Sequence, residues 1–104
     1  MRGELYQFVE GNLDATPPLR GIYELLIDAE VIYLAQADRS LQASLRAAWD
    51  ALEGDPANWP TTFRFEVLRR PWLALDRELA SYRSSHSGEL PRLNARGVDF
   101  DHPS

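Results

Sequence analysis

Two tyrosines stand ten residues apart on two short apolar runs, Tyr23 in Gly21-Ile22-Tyr23 and Tyr33 in Tyr33-Leu34-Ala35. The runs read as adjacent strands, which would set the two phenols side by side. The other groups with chemical reach are arginines: all 11 basic residues are arginine and none is lysine. Guanidinium forks match phosphate oxygens, so phosphate recognition is one reading of that count; codon bias alone is the other. No cysteine is present, which excludes disulfides, thiolate catalysis and zinc–thiolate sites. His86 and His102 have no partner at catalytic or metal-binding spacing and read as surface histidines.

The elements that must position the tyrosines follow from hydrophobic patterning. A chain of 104 residues supports one hydrophobic core. An apolar fraction of 44% and a charged fraction of 26% are those of an ordinary globular protein. The apolar runs fall far short of the roughly 20 residues that span a bilayer, and Met1-Arg2-Gly3-Glu4 leads into no stretch of signal-peptide length. These observations predict no membrane contact and a cytoplasmic location. Net charge is −5, unevenly distributed: residues 1–59 carry 4 Arg against 10 acids, whereas residues 60–96 carry 7 Arg against 4 acids. The basic 60–96 segment is the candidate contact for DNA.

Residues 1–18 read as an N-terminal arm whose Leu5, Tyr6, Phe8 and Val9 can pack on the core, as a short strand or a helical turn, with Pro17-Pro18 ending it. Tyr23, Leu25 and Ile27 alternate with Glu24 and Asp28, and Val31–Gln36 is a second strand-like run, so the two predict a hairpin. Asp38-Arg39-Ser40 is a helix start, and Leu41, Leu45, Ala48, Trp49 and Leu52 recur at helical spacing until Gly54-Asp55-Pro56. Thr61–Leu68 is the third strand. Pro71 suits the first turn of a second helix with Trp72, Leu75, Leu79 and Tyr82 as its expected buried stripe. Trp59, in the loop Pro56–Pro60, reads as a loop anchor or a contact residue. Residues 19–95 form the expected core, and residues 96–104 a flexible tail. The expected fold is α+β: a small antiparallel three-stranded sheet flanked by helices in the order β-β-α-β-α.

The two tripeptides in that order, together with Gln36-Ala37 and the closing Gly88-Glu89-Leu90-Pro91-Arg92-Leu93-Asn94, resemble the GIY-YIG nuclease superfamily. The resemblance covers about residues 19–95, and the ending is similar to that of a bacterial subgroup. It implies metal-dependent cleavage of phosphodiester bonds. By resemblance Tyr23 would help activate the attacking water, with Tyr33 lining the same cleft. A carboxylate on the second long helix, Asp76 or Glu78, would hold one Mg²⁺ or Mn²⁺, and Asn94 would fasten the chain end near the cleft. Fixed cations around a phosphate that gains charge are what such a reaction needs.

Two positions depart from the pattern. Ala35 replaces the glycine of the second tripeptide. Ser44 stands where the family places its arginine, leaving Arg46, on the solvent side of the helix, and Arg39, at its start, as substitutes. Loss of that arginine would cost on the order of a hundredfold in rate. The resemblance therefore implies a degenerate module that binds nucleic acid or protein, with an active endonuclease as the alternative. A domain this short would act through a protein partner or as a homo-oligomer.

Overall fold

Side chains of alternating character along Gly21–Ile27 and Thr62–Val67 form strands in the computed structural model, which describes residues 1–102. The element order is β1 (Tyr6–Gln7), α1 (Glu10–Asp14), β2 (Gly21–Ile27), β3 (Glu30–Ala37), α2 (Leu41–Leu52), a 3-10 turn (Pro56–Asn58), β4 (Thr62–Val67), α3 (Pro71–Ser85) and α4 (Arg92–Ala95). The fold is α+β with one antiparallel sheet of four strands, ordered β1-β4-β2-β3. The expected sheet had three strands; the fourth comes from the arm, where Tyr6 pairs with Phe63 and Gln7 with Thr62. Two extended residues are too few to carry a period-two signature.

The β2–β3 hairpin turns at Asp28, whose φ of 55° is left-handed and tolerated by aspartate. Its backbone amide donates to Thr61 Oγ1 at 2.8 Å, which ties the turn to the start of β4. The register shifts between Leu25 and Leu26, and the bulge leaves Ile32 without a partner. Ile32 and Tyr33 consequently both reach the same core, although they are sequence neighbours.

That core lies between one face of the sheet and α2. Tyr23, Leu25, Tyr33 and Phe63 meet Leu41, Leu45, Ala48 and Leu52, with Phe8 and Leu13 from the arm. The start of α2 is held by Ser40, whose hydroxyl accepts from the Ala43 amide at 3.1 Å. Trp59 proves a loop anchor, edge-on to Trp49 at 4.7 Å and to Phe8 at 5.2 Å.

The opposite face buries Ile22, Leu26 and Leu34, and α3 packs there on β2 and β3. Of the stripe expected on α3, Leu75, Leu79 and Tyr82 are on the packed side and Trp72 is not. Trp72 is 46% exposed, and the packed side runs through Pro71, Ala74, Leu75, Leu79 and Tyr82. On this same face Glu24, only 5% exposed, faces Arg64 across β2 and β4, and Arg64 Nε donates to its Oε1 at 2.7 Å. No helix among the described residues is long and apolar enough to cross a membrane.

The tail also departs from expectation. Val98 packs on the core and Phe100 is buried in it; positions 103 and 104 lie outside the described residues. Polar residues flank these two, so the segment had read as featureless.

Gly21 has a steric role. A Cβ there would overlap the Glu66 carbonyl oxygen and come within 2.8 Å of Leu41 Cδ1. Alanine must therefore push β2 from β4 or α2 from the sheet. Gly21→Ala is expected to cost about 1–3 kcal/mol, the usual penalty for overpacking a core. Urea unfolding measures it, and an unchanged midpoint would show that this contact does not set the spacing.

Candidate functional site

The hairpin register places Tyr23 opposite Ala35 and Tyr33 opposite Leu25, so both phenols project from one face of adjacent strands. Their ring centroids are 6.0 Å apart at 58°. Both side chains are buried, and the cover is the chain itself. Tyr33 donates its hydroxyl to the Val98 carbonyl at 3.2 Å, and the Phe100 ring meets Tyr33 edge-on at 4.9 Å. One residue further, Asp101 Oδ2 accepts from the hydroxyl of Ser44 at 2.8 Å. Ser44, on α2, is itself buried.

Beside this cover two hollows remain. A hollow of about 280 Å³ is lined by Tyr33, Ala35, Leu75, Asn94, Asp99 and Asp101, among others. A groove of about 580 Å³ runs along the start of α2 past Arg39, Ser44, Asp101 and His102. Asp38 lines both.

The titrating groups record this enclosure. Burial pushes the Tyr23 hydroxyl well above its usual range, and the neighbouring Tyr33, Asp101 and Asp99 add to the effect. Burial pushes Tyr33 up to about 12. Burial also raises the Asp101 carboxyl; the Ser44 hydrogen bond opposes that shift, while Asp99 and Asp38 reinforce it. Neither phenol supplies a phenolate at neutral pH, and the Tyr33 proton is committed to a backbone carbonyl. A general base needs a pKa near the working pH.

Asn94 is placed by α4 against the outer edge of β3. Its Oδ1 accepts from the Leu34 amide at 2.9 Å and its Nδ2 donates to the Leu34 carbonyl at 2.8 Å. The side-chain amide thus stands in for one peptide of a missing strand.

The remaining candidates lie elsewhere. Arg46 is on another side of α2 from Ser44, its Nη1 2.9 Å from Glu10 Oε2 and its Nε 3.7 Å from Asp50 Oδ1. It is not brought to the tyrosines. Arg39 lines the groove at the start of α2 and is exposed. Asp76 is exposed on α3, whereas Glu78 is half-buried with its Oε2 3.1 Å from the Met1 amino nitrogen. Two positions apart on a helix, these carboxylates point about 200° apart. They do not converge on one ion, and among the described residues no group of three His, Asp or Glu is arranged to hold a metal. The α3 residue that reaches the hollow beside Tyr33 and Asn94 is Leu75. Neither Asp76 nor Glu78 lines that hollow.

Sequence reasoning missed the cover, Val98–Asp101. A signal existed: Val98 and Phe100 alternate with Asp99 and Asp101, the pattern of an extended segment with one buried side. No family model matches the chain, and neither does any curated protein.

Two pH effects follow. The folded state favours protonated Asp101, so this group's share of stability is full at low pH and lost as pH rises through its raised pKa. Asp101→Asn, which can still accept from Ser44, should gain stability relative to the unsubstituted chain between pH 3 and pH 7, as read by urea midpoints. A difference that shrinks with rising pH would contradict the enclosure of Asp101. At the alkaline end the unfolded chain releases tyrosine protons near about pH 10, while the folded chain holds the Tyr33 proton to about 12. Stability should fall over that interval, less steeply in Tyr33→Phe. The tyrosinate absorbance up to pH 11 should be the same with and without Tyr23→Phe; a loss of one tyrosine's signal would show that Tyr23 is open to solvent.

Proposed function

We propose that the chain is a GIY-YIG-like domain that does not hydrolyse phosphodiesters and serves instead as a binding module for a partner macromolecule. Support for the family reading comes from Tyr23 and Tyr33 on adjacent antiparallel strands, followed by helix, strand and helix, with Asn94 at the edge of the same cleft. The observation that carries the loss of reaction is the seating of Val98–Asp101 over the two tyrosines, with the Asp101 carboxylate on Ser44.

Charge argues the same way. Cleavage places a phosphate that gains negative charge against fixed cations. In this cleft a phosphate would meet Asp38, Asp99 and Asp101, while Arg46 is held by Glu10 and Asp50 and Arg39 lines the neighbouring groove rather than this hollow. A carboxylate 4 Å from a phosphate oxygen opposes binding by about 4 kcal/mol at an effective dielectric of 20. A single oxyanion-type donor contributes about 3–4 kcal/mol to a transition state, so one restored arginine would not offset three carboxylates.

The competing reading is a metal-dependent endonuclease that uses Mg²⁺ or Mn²⁺ at Asp76 or Glu78. Plasmid nicking with each metal and with chelator separates the two. The expected result is no metal-dependent cleavage by the unsubstituted chain, and none by Ser44→Arg alone, because Asp101 would pair with the new guanidinium. Metal-dependent cleavage that disappears in Tyr23→Phe, or in Asp76→Ala combined with Glu78→Ala, would overturn the proposal.

A further inference from the structure

Four arginines that are distant in the chain lie at one end of the sheet. β2 begins at Gly21, β3 ends at Ala37 and β4 ends at Val67, and the register sets Gly21 between the other two. Arg20, Arg39, Arg69 and Arg70 flank those three strand ends. The Leu68 amide donates to the Arg20 carbonyl at 3.0 Å, which carries the pairing one step past β2 and β4. All four side chains are exposed, and none forms a salt bridge among the described residues. Asp38, at the same end, accepts instead from Gln36 Nε2 at 2.6 Å, and Glu66 is half-buried in β4.

The same end carries exposed apolar side chains. Leu19 is 54% exposed and Val67 45%, and at the first turn of α3 Trp72 is 46% and Leu73 56% exposed. Large apolar groups beside unpaired cations are the composition of an interface, where a partner's carboxylates and apolar side chains would both be met. We propose that this end of the sheet is a docking surface for a protein segment that mixes acidic and apolar residues.

The inference rests on the binding-module reading and names its surface. Two observations set the occupant. A single-stranded nucleic acid stacks its bases on aromatic rings, whereas three of the four exposed apolar residues here are aliphatic and offer no ring face. The whole chain is negatively charged; a long polyanion feels that charge, while a short acidic segment feels mainly what lies within the Debye length of about 8 Å.

The test uses the full chain and a displayed library of random 16-residue peptides, followed by amide chemical-shift mapping with the best synthetic peptide. Enriched peptides should carry an excess of Asp and Glu together with apolar residues. Shifts should concentrate on residues 19–20, 39 and 67–73, and Arg69→Ser with Arg70→Ser should weaken binding tenfold or more, as should Trp72→Ser. These side chains are exposed, and mapping on the unsubstituted chain needs no variant. No enrichment, enrichment of basic peptides, or binding indifferent to both variants would overturn the proposal. So would tighter binding of an oligothymidylate at this end, or self-association that these variants abolish. Acidic peptides whose shifts fall at the tyrosine cleft would refute this surface while leaving the module reading intact. Metal-dependent nuclease activity would refute the module reading whatever the peptides do.

Discussion

The side-chain amide of Asn94 closes the free edge of the sheet, and the architecture around the tyrosines depends on it. β3 is an edge strand, so the Leu34 amide and carbonyl point away from β2 toward solvent. An exposed pair of this kind is a template for another strand. Asn94 offers one acceptor and one donor in a plane, and it takes both groups at 2.9 and 2.8 Å. With that clamp made and Leu93 buried in the core, α4 has one position against β3. Gly97, at a φ of 76° that other residues rarely adopt, then turns the chain back. Val98 arrives with its carbonyl on the Tyr33 hydroxyl, and Asp101 arrives at Ser44.

The closure changes what the tyrosines do. In an open cleft two phenols could share a proton with a bound water. Under Val98 and Phe100 they act as core residues, their rings tilted against each other, the Tyr33 hydroxyl on a backbone carbonyl and both held neutral by burial. Ser44 belongs to the same arrangement. A serine is short enough to leave room for the Asp101 carboxylate, and its hydroxyl supplies the hydrogen bond that a half-buried carboxylate needs. The residue at position 44 and the path of the chain at 98–101 are thus tied by one hydrogen bond.

How much of this was legible depended on pattern length. β2 and α2 carry several repeats of their period, with Ser40 as a cap, and β3 is a run rich in β-branched and aromatic residues, so all three form where the sequence places them. β1 has two residues and no period to read. On α3 the difficulty was degeneracy. Trp72, Leu73, Ala74 and Leu75 are consecutive, so a stripe through Leu75, Leu79 and Tyr82 can begin at Trp72 or at Pro71 and Ala74, and only the packing against β2 and β3 selects the latter. The site was legible in part. The tyrosines share a face because strand registry is strict. The cover over them was hidden because it depends on Asn94 meeting Leu34 across 60 residues of chain.

Charge follows the same division between sequence and space. Along the chain the arginines concentrate in residues 60–96, yet the fold does not turn that segment into one basic face. Arg64 crosses the sheet to Glu24, and Arg83 donates to the Gly88 carbonyl. Arg69 and Arg70 instead join Arg20 and Arg39, which come from the acidic half, because the sheet register brings those strand ends together. At the cleft the opposite regrouping occurs: Asp38 from β3's end meets Asp99 and Asp101 from the tail. A chain of net charge −5 thus presents a local concentration of cations beside the strand ends and of carboxylates over its tyrosines, the two adjoining where Asp38, Arg39 and Asp101 line one groove. Screening over about 8 Å keeps such local fields distinct from the net charge. A partner's approach is then governed by which end it meets, and the arginine end is where an acidic surface would be attracted.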